Sequence, residues 1–315
     1  MNFTKSKYFG EAVLLLVTFF WGVTFVAVKS SLKDISPMLF LAIRFSIAAI
    51  LFLPLLYNYR DKLNLKSVLP GLLLGVLIFL SFAAQTTGLQ FTTATKSGFL
   101  TGSLVVMVPF FQLIIKKKKP TKGAVIGILF VFAGIFILSS GGKSIYSFLD
   151  ELGSDFNIGD VLTLVCAVIF AVEVVYLDIF SSKYNLWVLV FSQLAVTAIL
   201  GFVFAFIFNA TNFEPYKLSF TSNLFVGLIY TAVFATLINT ILQTKYQKSV
   251  SPAKAGIIYS FEPIFSAIFA FILLNETMNE LSYIGCLLIF VGLALSEIFD
   301  NIMEKRWKTN YAELK

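Results

Sequence analysis

Two carboxylates stand where carboxylates are expensive. Glu262 lies ten residues into an apolar run from Pro252 to Asn275, and Glu173 lies deep in the run from Ile158 to Ile179. An ionised side chain at the centre of a bilayer costs about 2.5–3.5 kcal/mol on insertion scales, so such a residue faces water, a partner or a bound solute. The chemistry open to it is to pair with a cation, accept hydrogen bonds or exchange a proton. Pro263 follows Glu262 and has no N–H to give the Tyr259 carbonyl, which makes position 263 an expected bending point beside the acid. The competing readings are structural: an interhelical hydrogen bond for Glu262, and an ion pair with Arg44 for Glu173.

Neutral polar groups recur at matched places. Ser81 and Gln85 are four residues apart and share a helix face. Moved 158 positions along the chain they fall on Asn239 and Gln243, with Thr236 one turn earlier. Such pairs line a cavity, or they hydrogen-bond neighbouring helices for about 0.6–2 kcal/mol each. Trp21 shares a face with Thr18 and Phe25, with Thr24 beside it, too deep in its run for an interfacial tryptophan. The sequence contains no histidine and two cysteines, Cys166 and Cys286. That removes the commonest general base and any thiolate cage. No catalytic, metal or cofactor site is expected.

These residues are positioned by long apolar segments. The chain is 58% hydrophobic and 13% charged, against the roughly 25% charge of a soluble domain. A helix needs about 20 apolar residues to cross a bilayer. Ten runs qualify: about 11–31, 37–57, 68–88, 95–115 and 123–140, then 158–179, 186–208, 224–246, 252–275 and 280–299. Membrane strands are far shorter. The expected fold is therefore an all-α integral membrane protein of ten transmembrane helices.

The ten divide into two fives. Residues 85–139 align without a gap on 243–297, and Gly127 and Gly134 fall on Gly285 and Gly292. The glycines read as helix-packing grooves. Expected units are 1–140, a linker at 141–157, 158–300 and a basic tail at 301–315. Eighteen lysines and arginines fall on the side of the termini and five on the other, with Arg44 inside a span. Positive loops stay inside, which puts both termini in the cytoplasm. The net charge of +7 is thus a topological excess, and no nucleic-acid partner is implied. The run Lys116–Lys119 belongs to that signal. Gly141-Gly142-Lys143-Ser144 resembles the end of a phosphate loop but follows no strand and lacks the leading glycine. Because five is odd, the second copy enters the membrane from the opposite face, giving inverted repeats of the kind found in transporters.

Phe20-Trp21-Gly22, Arg44-Phe45, Lys96-Ser97-Gly98-Phe99-Leu100-Thr101-Gly102 with Pro109, and Glu262-Pro263 with Glu276 together resemble the EamA family of the drug/metabolite transporter superfamily. The resemblance covers about residues 10–300. It implies a central cavity lined by spans one, three, four, six, eight and nine, and export of amino acids or related metabolites by alternating access. On those spans stand Trp21, Thr24, Ser81, Gln85, Thr101, Glu173, Asn239, Gln243, Tyr259 and Glu262, the candidate substrate-binding residues. Pro109 and Pro263 are the candidate hinges. Where many members carry an acid matching Glu276 in the first repeat, this chain has Lys118. The expectation is an inner-membrane carrier of small amino-acid-like metabolites, with the bilayer as its surroundings and protons as candidate co-substrates. An integral-membrane enzyme or a non-transporting scaffold are the rival readings. The first would need an acid/base or metal constellation, and the second would not need matched polar pairs.

Overall fold

The computed structural model describes residues 8–139, 157–274 and 280–313. Its described residues are helical apart from turns and one isolated bridge between Ile35 and Leu218. In the first half, α1 (Phe9–Ser31), α2 (Pro37–Tyr57) and α3 (Leu65–Gly88) each form one span. Span four is broken into α4 (Ala94–Gly102) and α5 (Leu104–Lys116), and α6 (Lys122–Ser139) is span five. In the second half, α7 (Ile158–Ser181) and α8 (Leu186–Ala210) are continuous. Span eight consists of α9 (Ser222–Ala232), a π-helical stretch (Val233–Ile238) and α10 (Asn239–Tyr246). Span nine is α11 (Pro252–Tyr259) and α12 (Glu262–Leu274), and α13 (Glu280–Glu313) contains span ten. Among the described residues, eight spans are long and apolar enough to cross a membrane; the stretches Lys122–Gly134 and Tyr283–Ser296 are shorter apolar helices.

Local sequence starts these helices where side chains can cap them. Asn64, Thr93, Asn185, Thr221 and Ser251 each accept a backbone N–H from the first turn of the helix that follows. Asn157 and Asp160 form a reciprocal capping box on α7. The start of α2 is served from far away: Met38 N–H donates to Glu214 Oε1 at 2.9 Å, from the loop after α8. α13 runs through positions 301–313 without a break, because no glycine or proline follows Gly292 to stop it. The phosphate-loop resemblance at 141–144 and Glu276 lie outside the described residues.

The packing shows the inversion. α6 and α13 are repeat mates, and they cross with Gly127 against Gly292 and Gly134 against Gly285. A Cβ on Gly127 would lie 2.8 Å from the Gly292 carbonyl oxygen, and one on Gly134 2.6 Å from that of Gly285. Each glycine meets the mate of the other glycine, so the two helices run antiparallel about a two-fold axis lying across them. The remaining contacts obey the same exchange. Span three packs on span six as span eight packs on span one, and spans two and seven pack on each other. Phe40, Phe45, Phe52, Phe79 and Leu194 fill the core shared by spans two, three and seven. Ile50, Leu51, Leu129, Phe202, Phe206 and Leu287 face outward, as an apolar belt in lipid requires.

Candidate functional site

Spans one, three, four, six, eight and nine converge on a narrow central cavity of about 20 Å³, room for about one water. Span one contributes Trp21 and Thr24, span three Gln85 with Phe82, and span four Thr101. Span six contributes Glu173 and Phe170, span eight Gln243, and span nine Tyr259 and Glu262. A second small cavity of about 10 Å³ shares Trp21, Glu173 and Gln243 and extends to Thr236 and Thr240.

Eight of the ten candidate residues meet at this wall. Ser81 and Asn239 do not reach it. Ser81 is fully buried and its Oγ donates back to the Leu77 carbonyl at 2.8 Å, a local bond open to any serine in a helix. Asn239 turns its Nδ2 to the Val17 carbonyl at 3.0 Å, which ties span eight to span one. Helical spacing fixes a face, and the rotamer then decides whether the polar end points into the cavity or along the backbone.

The wall is aromatic as well as polar. The Trp21 and Tyr259 rings are 5.4 Å apart, edge to face, and Phe82 meets Phe170 at 5.2 Å. Trp21 Nε1 donates to the Ala235 carbonyl at 3.3 Å, and Tyr259 Oη donates to Gln247 Oε1 at 2.6 Å. Gln85 Nε2 donates to Thr101 Oγ1 at 3.1 Å, linking spans three and four. The two acids differ from these. Both carboxyl oxygens of Glu173 are buried with no hydrogen-bond partner among the described residues. Glu262 opens α12, where the free N–H groups of a helix start favour a carboxyl.

The structure separates Arg44 from Glu173. Arg44 is buried, its Nε donates to Thr236 Oγ1 at 2.7 Å, and its guanidinium lies 4.7 Å from the Phe82 ring centroid. One of its terminal nitrogens also reaches the Ala235 carbonyl at 3.5 Å. The expected structural ion pair is therefore not what holds Glu173. Arg44 instead grips the π-helical stretch, where the Ala235 carbonyl accepts from both Arg44 and Trp21. The sequence carried no signal for that stretch, since the matching part of α3 is regular helix.

Span four breaks away from its proline, whereas span nine breaks in the turn before Pro263, just past Tyr259, whose carbonyl Pro263 cannot serve. Span nine breaks at Ser260–Phe261, and Pro263 follows at the second position of α12, where a missing N–H costs nothing. Span four breaks at Ser103, where Ser103 N–H and Val106 N–H make tight bonds three residues back, while Pro109 sits inside α5. At the 158-residue offset Ser103 falls on Phe261, so both copies break at one place.

An all-helical, ten-span body with inverted halves and a polar cavity at their meeting point is the architecture of a membrane transporter. The matches agree: residues 8–140 and 157–297 match the EamA-like transporter family, and the chain belongs to it. A protein of Archaeoglobus fulgidus described as an uncharacterized transporter is 33% identical over 290 residues, covering 92% of this chain and 86% of its own. The Bacillus subtilis uncharacterized transporter YoaV is 25% identical over 301 residues, covering 90% and 94%. One solved structure superposes with a TM-score of 0.74 at 16% identity, over 95% of this chain and all of its own; at that identity the likeness concerns the fold alone.

Proposed function

We propose that this transporter exports small amine-bearing metabolites of amino-acid type across the inner membrane, by alternating access to the central cavity. The observation that carries the reading is Glu173, a buried carboxyl whose two oxygens have no well-formed hydrogen bond among the described residues, set beside Gln243 and among Trp21, Phe170 and Tyr259. A substrate ammonium supplies the missing donor, and the rings take an apolar side chain and add cation–π attraction. Gln85, Thr101 and Gln243 offer hydrogen bonds to the substrate's carboxylate or amide, while the buried Thr24 hydroxyl already donates to the Trp21 carbonyl. The chemistry is unequal between the halves: Glu173 and Glu262 both belong to the second repeat, and their mates are Thr24 and Leu104.

The cavity as it stands holds about one water, so substrate enters only when spans part. The two units, 1–140 and 158–300, move about the shared breaks at Ser103 and Ser260–Phe261. Glu262 stands at one of these breaks and is the group through which protons couple to the movement. The test is flux in proteoliposomes across a substrate panel, with and without a pH gradient. Amine-bearing solutes are expected to move, and transport confined to solutes without an amine would overturn the assignment. Gln243→Ala is expected to weaken substrate binding about 5- to 10-fold, the size of one neutral hydrogen bond, with near-normal expression. Wild-type affinity in that variant would return Gln243 to a packing role.

Orientation follows from charge: both termini and the 59–64 and 182–185 loops face the cytoplasm. In a background lacking Cys166 and Cys286, a cysteine at Lys183 is expected to react with an impermeant maleimide only from the cytoplasm, and one at Asn212 only from outside. Reaction of both from one face would remove this topology.

A further inference from the structure

Two ion pairs occupy repeat-equivalent places at opposite faces of the protein. Lys254 Nζ lies 2.7 Å from Glu11 Oε1, and Lys96 Nζ lies 2.7 Å from Asp160 Oδ2. Lys96 and Lys254 are separated by the 158-residue offset of the repeat, and Glu11 and Asp160 are mates by the first and sixth spans, 149 apart, as Gly10 and Gly159 are. Each pair therefore joins the first turn of a broken span, α4 or α11, to the first turn of α7 or α1. The Lys96 pair closes the end of the bundle where α3 stops, and the Lys254 pair the end where α10 stops. The glycines beside them show how tightly the ends meet: a Cβ on Gly159 would lie 2.5 Å from the Gly88 carbonyl oxygen, and one on Gly10 would collide with Ser249. Between the two closed ends lies the one-water cavity.

We propose that Lys254–Glu11 and Lys96–Asp160 are matched latches of the cytoplasmic and external gates, so that breaking either one opens the cavity to that face alone. The inference rests on the transporter reading above and adds the residues that hold each gate. An ion pair made in the closed gate and lost in the open one stabilises the closed form by its own free energy, and removing it shifts the population toward opening at that face.

The two latches are unequal in strength. Asp160 is fully buried and also accepts from Thr92 Oγ1 at 2.7 Å and from Asn157 N–H at 3.0 Å. Lys29 adds a second tie at the external end, donating to the Leu89 carbonyl and, at 2.8 Å, to that of Thr92. Its mate in the sixth span is Asp178, which pairs with Lys116. The cytoplasmic pair is partly exposed on both sides, at 14% and 20%. Beside it a cavity of about 390 Å³ opens among Lys116, Lys118, Lys248 and Ser251. The cytoplasmic latch thus has fewer supporting bonds than the external one.

The test places a single cysteine at Val174, in the cavity wall, in the full chain lacking Cys166 and Cys286. Labelling by an impermeant maleimide is measured from each face in oriented vesicles. Lys254→Gln is expected to raise the cytoplasmic rate about threefold and lower the external one, and Lys96→Gln to do the reverse. The double swap Glu11→Lys with Lys254→Glu is expected to restore the original rates, which separates a lost ion pair from a lost fold. Rates that move in the same direction in both single variants, that move in neither, or that the swap leaves shifted would overturn the latches. Flux in the same vesicles keeps the two readings apart. Opposite shifts in a protein that moves no amine-bearing solute overturn the substrate and retain the latches; amine flux with unshifted labelling retains the substrate and overturns the latches.

Discussion

Gly134→Leu is expected to remove most of the folded protein from the membrane. The site lies where α6 and α13 cross, and even a Cβ there would sit 2.6 Å from a backbone carbonyl and 2.9 Å from Ile289. A carbonyl cannot rotate away without giving up its own helix bond, so the helices must separate. Overpacking typically costs about 1–3 kcal/mol, and a backbone obstacle places this case at the upper end. In lipid the loss is sharper, because close approach of small residues is what joins the helices. Fluorescence-detected size exclusion and thermal melting in detergent provide the measurement. Leu129→Ala, on the same helix but facing lipid, is the control and is expected to behave as wild type. A monodisperse Gly134→Leu peak with unchanged melting would mean that this crossing does not hold the halves together.

Glu173→Gln carries the second large effect. The amide preserves size and offers a donor of its own, so the fold is expected to survive. What it loses is the charge that receives a substrate ammonium. A charge-assisted hydrogen bond contributes about 1.5–3 kcal/mol, which sets the expected loss of affinity at about 10- to 100-fold for amine-bearing substrates. Glu262→Gln is expected to act differently, flattening the dependence of flux on pH over about pH 5 to 8 while binding changes less. Equal affinity in wild type and Glu173→Gln would leave this carboxyl without a part in recognition. An unaltered pH profile with full activity in Glu262→Gln would remove the proton step.

Much of the fold could be read from the chain because lipid imposes a simple rule. A backbone with no water must bond to itself, so each span appears as one uninterrupted apolar run, and the odd number in each copy forces the inversion. The same cost made Glu173, Glu262, Gln85 and Gln243 conspicuous. Long-range geometry was not legible. Ser103 is itself no breaker, and its break shows only in the backbone, where the Ser103 and Val106 N–H groups bond three residues back. Arg44 could have met Glu173 as far as spacing goes; the π turn that captures it depends on a carbonyl from another span. Lys96 and Lys254 were visible as repeat mates, yet their carboxylate partners sit in the other half of the molecule, where no local pattern points. α13 runs on past the apolar span because hydropathy marks where lipid stops, which is a different boundary from where helical hydrogen bonding stops.

The π-helical stretch at Val233–Ile238 has a meaning for how the two copies can diverge. A single residue added to a regular helix rotates everything on one side of it by about 100°. Such an insertion would ordinarily swing a lipid-facing surface into the core. A wide turn absorbs the added residue within a few positions, so the flanks keep their facing while one carbonyl is put out of line. In span eight that carbonyl belongs to Ala235, and Arg44 and Trp21 have both taken it up. The copies of a duplicated gene can in this way accept an insertion or deletion in one half and remain interlocked with the other. Symmetry of the scaffold is retained while the polar lining becomes lopsided, and a binding site for an asymmetric molecule can arise inside a symmetric frame.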